Sequence, residues 1–231
     1  MPRRADYRAE LSHLPAADWM DYLNAHSGLP GPRGNLELAA AAAEQADAGM
    51  IDTLIATGDE YLVFCGVVGL GKRLAAGDEQ VVARLRTHAT DGRWRVREAV
   101  AMALQRCGDE NLARMLQIVN VWAEDPDPLV QRAAAAGVCE PRLLRSPGAA
   151  AVAVDVCERA TRSLAARPAG QRRDPAVRVL RKALGYCWSV AVAADPSRGL
   201  PRFRALAGST DPDVVWIVRE NRKKARLARL L

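Results

Sequence analysis

Aromatic residues are scarce in this sequence, at 5% of its 231 positions, and it carries only three histidines and five cysteines. With so few rings, alanine and aliphatic side chains must fill the core. Runs such as L-A-A-A-A-A at 38–43 favour closely packed helices over strands. The cysteines at 65, 107, 139, 157 and 187 form no C-x-x-C pair, and each sits in an apolar helical context. There a free thiol behaves as a small hydrophobe, which argues against a disulfide framework and for a reducing, cytoplasmic setting. His13, His26 and His88 are isolated, so no metal site is expected. G-x-S-x-G and the P-loop are missing. G-V-V-G-L-G-K at 66–72 lacks the spacing and the Ser/Thr of a phosphate loop and reads as a helix ending in a turn. No cofactor is expected. No uncharged run approaches membrane-spanning length, and M-P-R-R-A-D-Y-R-A-E at the start has no apolar core for a signal peptide. The expected protein is cytosolic, probes no membrane and is a monomer.

Positive charge, in contrast, is plentiful. The formal charge is +6 and the pI about 9.4, a balance that suits an anionic partner, with nucleic acid first. An arginine-rich proteome would give the same totals, so placement has to decide.

Turn signals recur along the chain: G-L-P-G-P-R-G-N at 28–35, T-G-D-E at 57–60, A-G-D-E at 76–79 and T-D-G at 90–92, then Asp-Pro steps at 125–128, 174–175, 195–196 and 211–212. Asp before Pro is a natural helix start, with the carboxylate as cap and the proline in the first turn. The segments between these signals have helix length, with apolar residues three and four apart. V-R-E-A at 96–99 aligns with V-Q-R-A at 130–133, which also aligns Asp91 with Asp125, 34 residues on. L-R-K-A at 180–183 and V-R-E-N at 218–221 continue the series, and W-I-V-R-E at 216–220 echoes W-R-V-R-E at 94–98. Helix pairs with a period of roughly 33 to 40 residues predict stacked repeats. The expected fold is all-α: a right-handed α-solenoid of HEAT-like repeats with a concave basic groove. It would form one domain over 1–231, with an N-terminal helical cap at 1–58 and repeats from 59.

On that architecture the V-R positions place Arg97, Arg132, Arg181 and Arg219 along one surface, reinforced by Arg93, Arg95, Arg178 and Lys182. A basic stripe running with the repeats is the footprint of a phosphate backbone. The same arginines could instead form salt bridges between repeats or a solvated face. Trp94 and Glu98 stand four apart, one turn from each other on one helix face. Tyr186 and Trp188 lie on a later motif helix. A carboxylate beside tryptophan in a basic groove suits stabilising a cation next to phosphates. The plainer readings are helix-start packing for Trp94 and a salt bridge to Arg95 or Arg132 for Glu98.

From about residue 90 onward the chain resembles the HEAT-like alkylpurine DNA glycosylases of the AlkC/AlkD kind. The resemblance rests on Trp94-x-x-x-Glu98, on P-L-V-Q-R-A-A-A around Arg132 and on K-A-L-G-Y ending at Tyr186. It differs in having Glu for Asp, one tryptophan ahead of the acid instead of a pair, and Tyr186 where the family carries tryptophan. The resemblance implies duplex DNA as partner and release of cationic N3- or N7-alkylated purines without strand cleavage. Glu98 would stabilise the oxocarbenium-like sugar, Trp94 and Tyr186 would pack against sugar and backbone, and Arg132 would hold a flanking phosphate. Trp188 is expected nearby on the DNA-binding surface. The alternatives are a nucleic-acid-binding repeat protein without catalysis and a scaffold for a protein partner.

Overall fold

A computed structural model describes residues 3–231, leaving Met1 and Pro2 of the expected cap outside the described residues. Every regular element in them is a helix, as the alanine-rich, aromatic-poor composition predicts. None of these helices is long and apolar enough to cross a membrane. The chain packs as two compact units, residues 1–106 and 107–231.

The first unit contains α1 (Arg4–His13), α2 (Trp19–Ala25), α3 (Leu36–Gln45), α4 (Ala48–Ala56), α5 (Glu60–Ala75), α6 (Glu79–Ala89) and most of α7 (Trp94–Glu110). Its centre is α5, buried without interruption from Tyr61 to Gly71 and packed against α2, α3, α4 and α6. A helix that is apolar all round has to be enclosed in this way. The glycine-rich stretch 66–72 is therefore mid-helix, and the turn follows at Ala76–Gly77. Its glycines let neighbours approach the backbone. A β-carbon at Gly66 would stand 2.7 Å from the Ile55 side chain, and one at Gly71 would stand 2.5 Å from the Ala103 carbonyl oxygen of α7. Backbone cannot swing aside, so Gly71→Val should destabilise the fold by about 3 kcal/mol in denaturant titration, despite the better helix propensity of valine. Gly92→Ala, where nothing lies within 4 Å, is the matched control and should stay within ~0.5 kcal/mol of wild type.

The second unit contains α8 (Leu112–Trp122), α9 (Pro128–Val138), α10 (Pro147–Ala165), α11 (Pro175–Ala194), α12 (Pro196–Ala207), α13 (Pro212–Arg222) and the short α14 (Ala225–Ala228). Here α11 is central, touching α9, α10, α12, α13 and α14. The Asp-Pro steps begin helices as expected. Asp127, Asp174, Asp195 and Asp211 each accept a backbone N–H of the first turn, with Pro128, Pro175, Pro196 and Pro212 in the first helical position. Loss of one such cap typically costs about 1 kcal/mol.

Side chains also bind across the helices within each unit, between residues 32 to 43 apart in sequence. Arg95 donates to Glu60, Arg142 to Asp109, Arg181 to Asp213 and Arg198 to Asp155. Asn221 is fully buried; it accepts from the Ser189 amide and donates to the Leu184 and Ile217 carbonyls, tying α13 to α11. The aligned positions Arg97 and Gln131 make the same bond. Arg97 donates to the Asp91 carbonyl at 2.5 Å and Gln131 to the Asp125 carbonyl at 2.8 Å.

Candidate nucleic-acid interface

Three residues four apart on α11, Arg178, Lys182 and Tyr186, form an exposed stripe one face wide. Arg178 and Lys182 have no carboxylate partner among the described residues, and neither does Arg173 just before the helix. Around this stripe lie two adjoining clefts. One, of about 570 Å³, is lined by Arg172, Arg173, Arg178, Arg181 and Asp213. The other, of about 450 Å³, is lined by Arg178, Arg181, Lys182, Tyr186, Trp216, Glu220 and Lys224. Arg178 and Arg181 belong to both.

Several cations here rest on aromatic rings. The Arg181 guanidinium lies 4.8 Å from the Trp216 ring centre, and Lys224 and Arg226 lie 5.7 and 5.1 Å from that of Tyr186. Arg226 also donates to the Tyr186 hydroxyl at 3.0 Å. A ring orients a cation through its quadrupole without neutralising it, at about 0.5–1 kcal/mol in exposed sites. The face of α11 that meets α13 and α14 therefore holds positive charge in place and leaves much of it uncancelled.

Other arginines are consumed by the protein. Arg172 bonds Asp211 and the Ala165 and Arg167 carbonyls, and stands 3.7 Å from Asp213, whose other oxygen accepts from Arg181 at 2.6 Å. Burial tends to raise the Asp211 carboxyl, but its bonds from Arg172 and from the Val214 and Asp213 amides outweigh that and hold it below the usual carboxylate range.

The three arginines around Trp94, expected on the basic stripe, are also engaged within the protein. Arg93 donates to both oxygens of Asp91 and to the Gly58 carbonyl. Its hydrogen bonds hold the Asp91 carboxyl below the ordinary range. Arg95 reaches Glu60 and the Gly31 carbonyl, both at 3.1 Å, and Arg97 binds the Asp91 and Gly92 carbonyls. Arg93 and Arg97 thus close the loop before α7, while Arg95 ties the helix start to α5 and to the 28–35 loop.

Trp94 itself is exposed, with the Arg95 guanidinium 4.7 Å from its ring centre, and Glu98 lies half-buried one turn along α7. Arg132 is half-buried on α9, while Arg219 is exposed on α13 with Glu220 at 3.4 Å. Trp188 does not belong to any binding surface. It is completely buried, packs against Phe203 and donates from Nε1 to Thr161 Oγ1 at 2.9 Å. Two positions on a helix are about 200° apart, so exposing Tyr186 turns Trp188 into the core.

Sequence reasoning missed the seat of Trp216. A β-carbon at Gly185 would stand 2.8 Å from its ring, so the indole rests on the α11 backbone, and Glu220 borders the same cleft. The signal available was the W-I-V-R-E echo together with the glycine at 185.

An all-helical protein with a cationic, aromatic-bearing face is the class that these observations define. Comparison of the chain with protein-family models, curated proteins and solved structures finds no match to any of them.

Proposed function

We propose that this protein binds DNA, with the stripe Arg178–Lys182–Tyr186 and the adjoining Lys224 and Arg226 as its principal phosphate-contacting surface. The observation that carries the reading is the cluster of cations on this face: Arg178 and Lys182 are exposed with no ion pair among the described residues, and Lys224 and Arg226 lie against the Tyr186 ring, likewise without an ion pair there. Arg93, Arg95 and Arg172, in contrast, are consumed by carboxylates and carbonyls. Such a surface is what a phosphate backbone needs, and its counterion release predicts binding that weakens steeply with salt. A HEAT-like helical-repeat architecture is supported by the polar links between residues 32 to 43 apart and by the shared bond of Arg97 and Gln131.

The sharper form of the proposal is a monofunctional glycosylase acting on N3- or N7-alkylated purines. One observation favours it: of the eleven aromatic residues, only Trp94 and Tyr186 are exposed, and these are the two that the family resemblance nominates to meet sugar and backbone. In such a reaction the cationic base leaves as positive charge moves to the deoxyribose. Glu98 would stabilise that charge and orient the attacking water. No lysine nucleophile takes part, so the strand stays intact.

The test is release of free base from duplex DNA carrying N7-methylguanine or N3-methyladenine. Wild type should release base, and Glu98→Gln should lose at least ~100-fold in rate while retaining DNA binding. Absence of release with salt-sensitive binding intact leaves a non-catalytic DNA-binding protein. If binding is absent too, a protein scaffold becomes the reading.

A further inference from the structure

The W-I-V-R-E stretch at 216–220 reproduces the Trp94–Glu98 spacing yet has no part in the chemistry above. Trp216 and Glu220 stand one turn apart on α13, and both border Gly185 of α11. A β-carbon there would lie 2.8 Å from the indole and 3.3 Å from the Glu220 Cβ. With hydrogen alone at 185, the two side chains can line the cleft of about 450 Å³ beside Lys182, Tyr186 and Lys224. That volume falls within the roughly 300–1,000 Å³ of small-ligand sites.

Glu220 is the discordant group, the one carboxylate lining a cleft that holds four cations and two aromatic rings. Its two ion-pair partners, Lys223 at 2.7 Å and Arg219 at 3.4 Å, both meet Oε1. The hydrogen bond from Lys223 also ends on Oε1, and none reaches Oε2 among the described residues. The two cations are well exposed, 59% and 63%, so these pairs contribute little to stability. The hydrogen bond from Lys223 holds the Glu220 carboxyl below its ordinary value, so it is ionised near neutrality. An ionised carboxylate beside a bound phosphate is repulsive unless it accepts hydrogen bonds from the same ligand. On a nucleotide base the well-placed donors are the exocyclic amines of cytosine, adenine and guanine. Thymine offers only its ring N3–H, set between two carbonyl oxygens that repel a carboxylate.

We propose that this cleft binds one nucleotide of a DNA strand, its phosphate against Lys182 and Lys224 and its base edge donating to Glu220 Oε2. Bases with an exocyclic amine are thereby preferred over thymine. The proposal rests on the DNA-binding reading above and adds to it a base-reading group.

The test measures binding of short single-stranded oligo-dC, oligo-dA and oligo-dT to the full chain, and to Glu220→Gln and Glu220→Ala, by fluorescence anisotropy. Wild type should bind oligo-dC and oligo-dA roughly 5- to 20-fold tighter than oligo-dT. Both variants should lose most of that ratio while keeping salt-sensitive binding. Equal affinity of wild type for all three strands, or a ratio that survives in both variants, overturns the proposal and leaves DNA binding standing. If neither single strands nor duplex bind at all, the DNA-binding reading fails and this site falls with it.

Discussion

Replacing Arg178, Lys182 and Lys224 together by alanine should weaken binding to a short mixed-sequence duplex on the order of 100-fold at low salt. It should also flatten the dependence of log affinity on log salt by up to about three units, near one for each phosphate contact removed. Stability should barely change, because Arg178 and Lys182 have no ion pair or side-chain hydrogen bond to lose among the described residues and Lys224 gives up only its place over the Tyr186 ring. Arg172→Ala is the informative contrast. It abandons Asp211 and two carbonyls in a half-buried site, so it should cost about 1–3 kcal/mol in denaturant titration. Per folded molecule, its affinity for DNA should stay near wild type. Titration of both variants against labelled duplex at several salt concentrations separates the two roles. Should the triple variant bind as wild type does, with the same slope, the α11 face is not the DNA surface.

Tyr186 and Trp188 should behave as opposites although one residue separates them. Trp188→Ala empties a fully buried site and leaves Thr161 without its indole donor, a loss of about 3–5 kcal/mol by denaturant midpoint. Trp188→Phe keeps most of the volume and should lose only about 1–2 kcal/mol, chiefly the hydrogen bond. Tyr186→Ala removes an exposed ring and should stay within about 1 kcal/mol of wild type in stability. Its effect should appear in DNA affinity, because Lys224 and Arg226 lose the ring that orients them. A large stability loss for Tyr186→Ala, with affinity unchanged, would assign that ring to packing.

Much of the local structure could be read in advance because its causes are local. An aspartate caps the amides two and three residues ahead of it, and a proline in the first turn sacrifices no hydrogen bond, so each Asp-Pro step marked a helix start from its own few residues. The alignment of Arg97 with Gln131 was legible for the same reason, since each side chain reaches back only six residues to a carbonyl. Helical phase likewise required Tyr186 and Trp188 to face apart, but it could not say which one faced inward.

That choice belonged to the neighbours, Thr161 on α10 and Phe203 on α12, which together make a site for the larger ring. The same holds for charge. A count of arginines treats Arg95, Arg172, Arg178 and Arg181 alike, while the acceptors that consume three of them lie 32 to 64 residues away or in surrounding loops. The sequence by itself determined that the chain is helical, basic and punctuated by capped turns, because propensity, composition and capping act over a few residues. Only the tertiary structure decided which cations remain unspent and where Trp216 and Glu220 meet Gly185, because burial and ion pairing depend on which distant segments pack together.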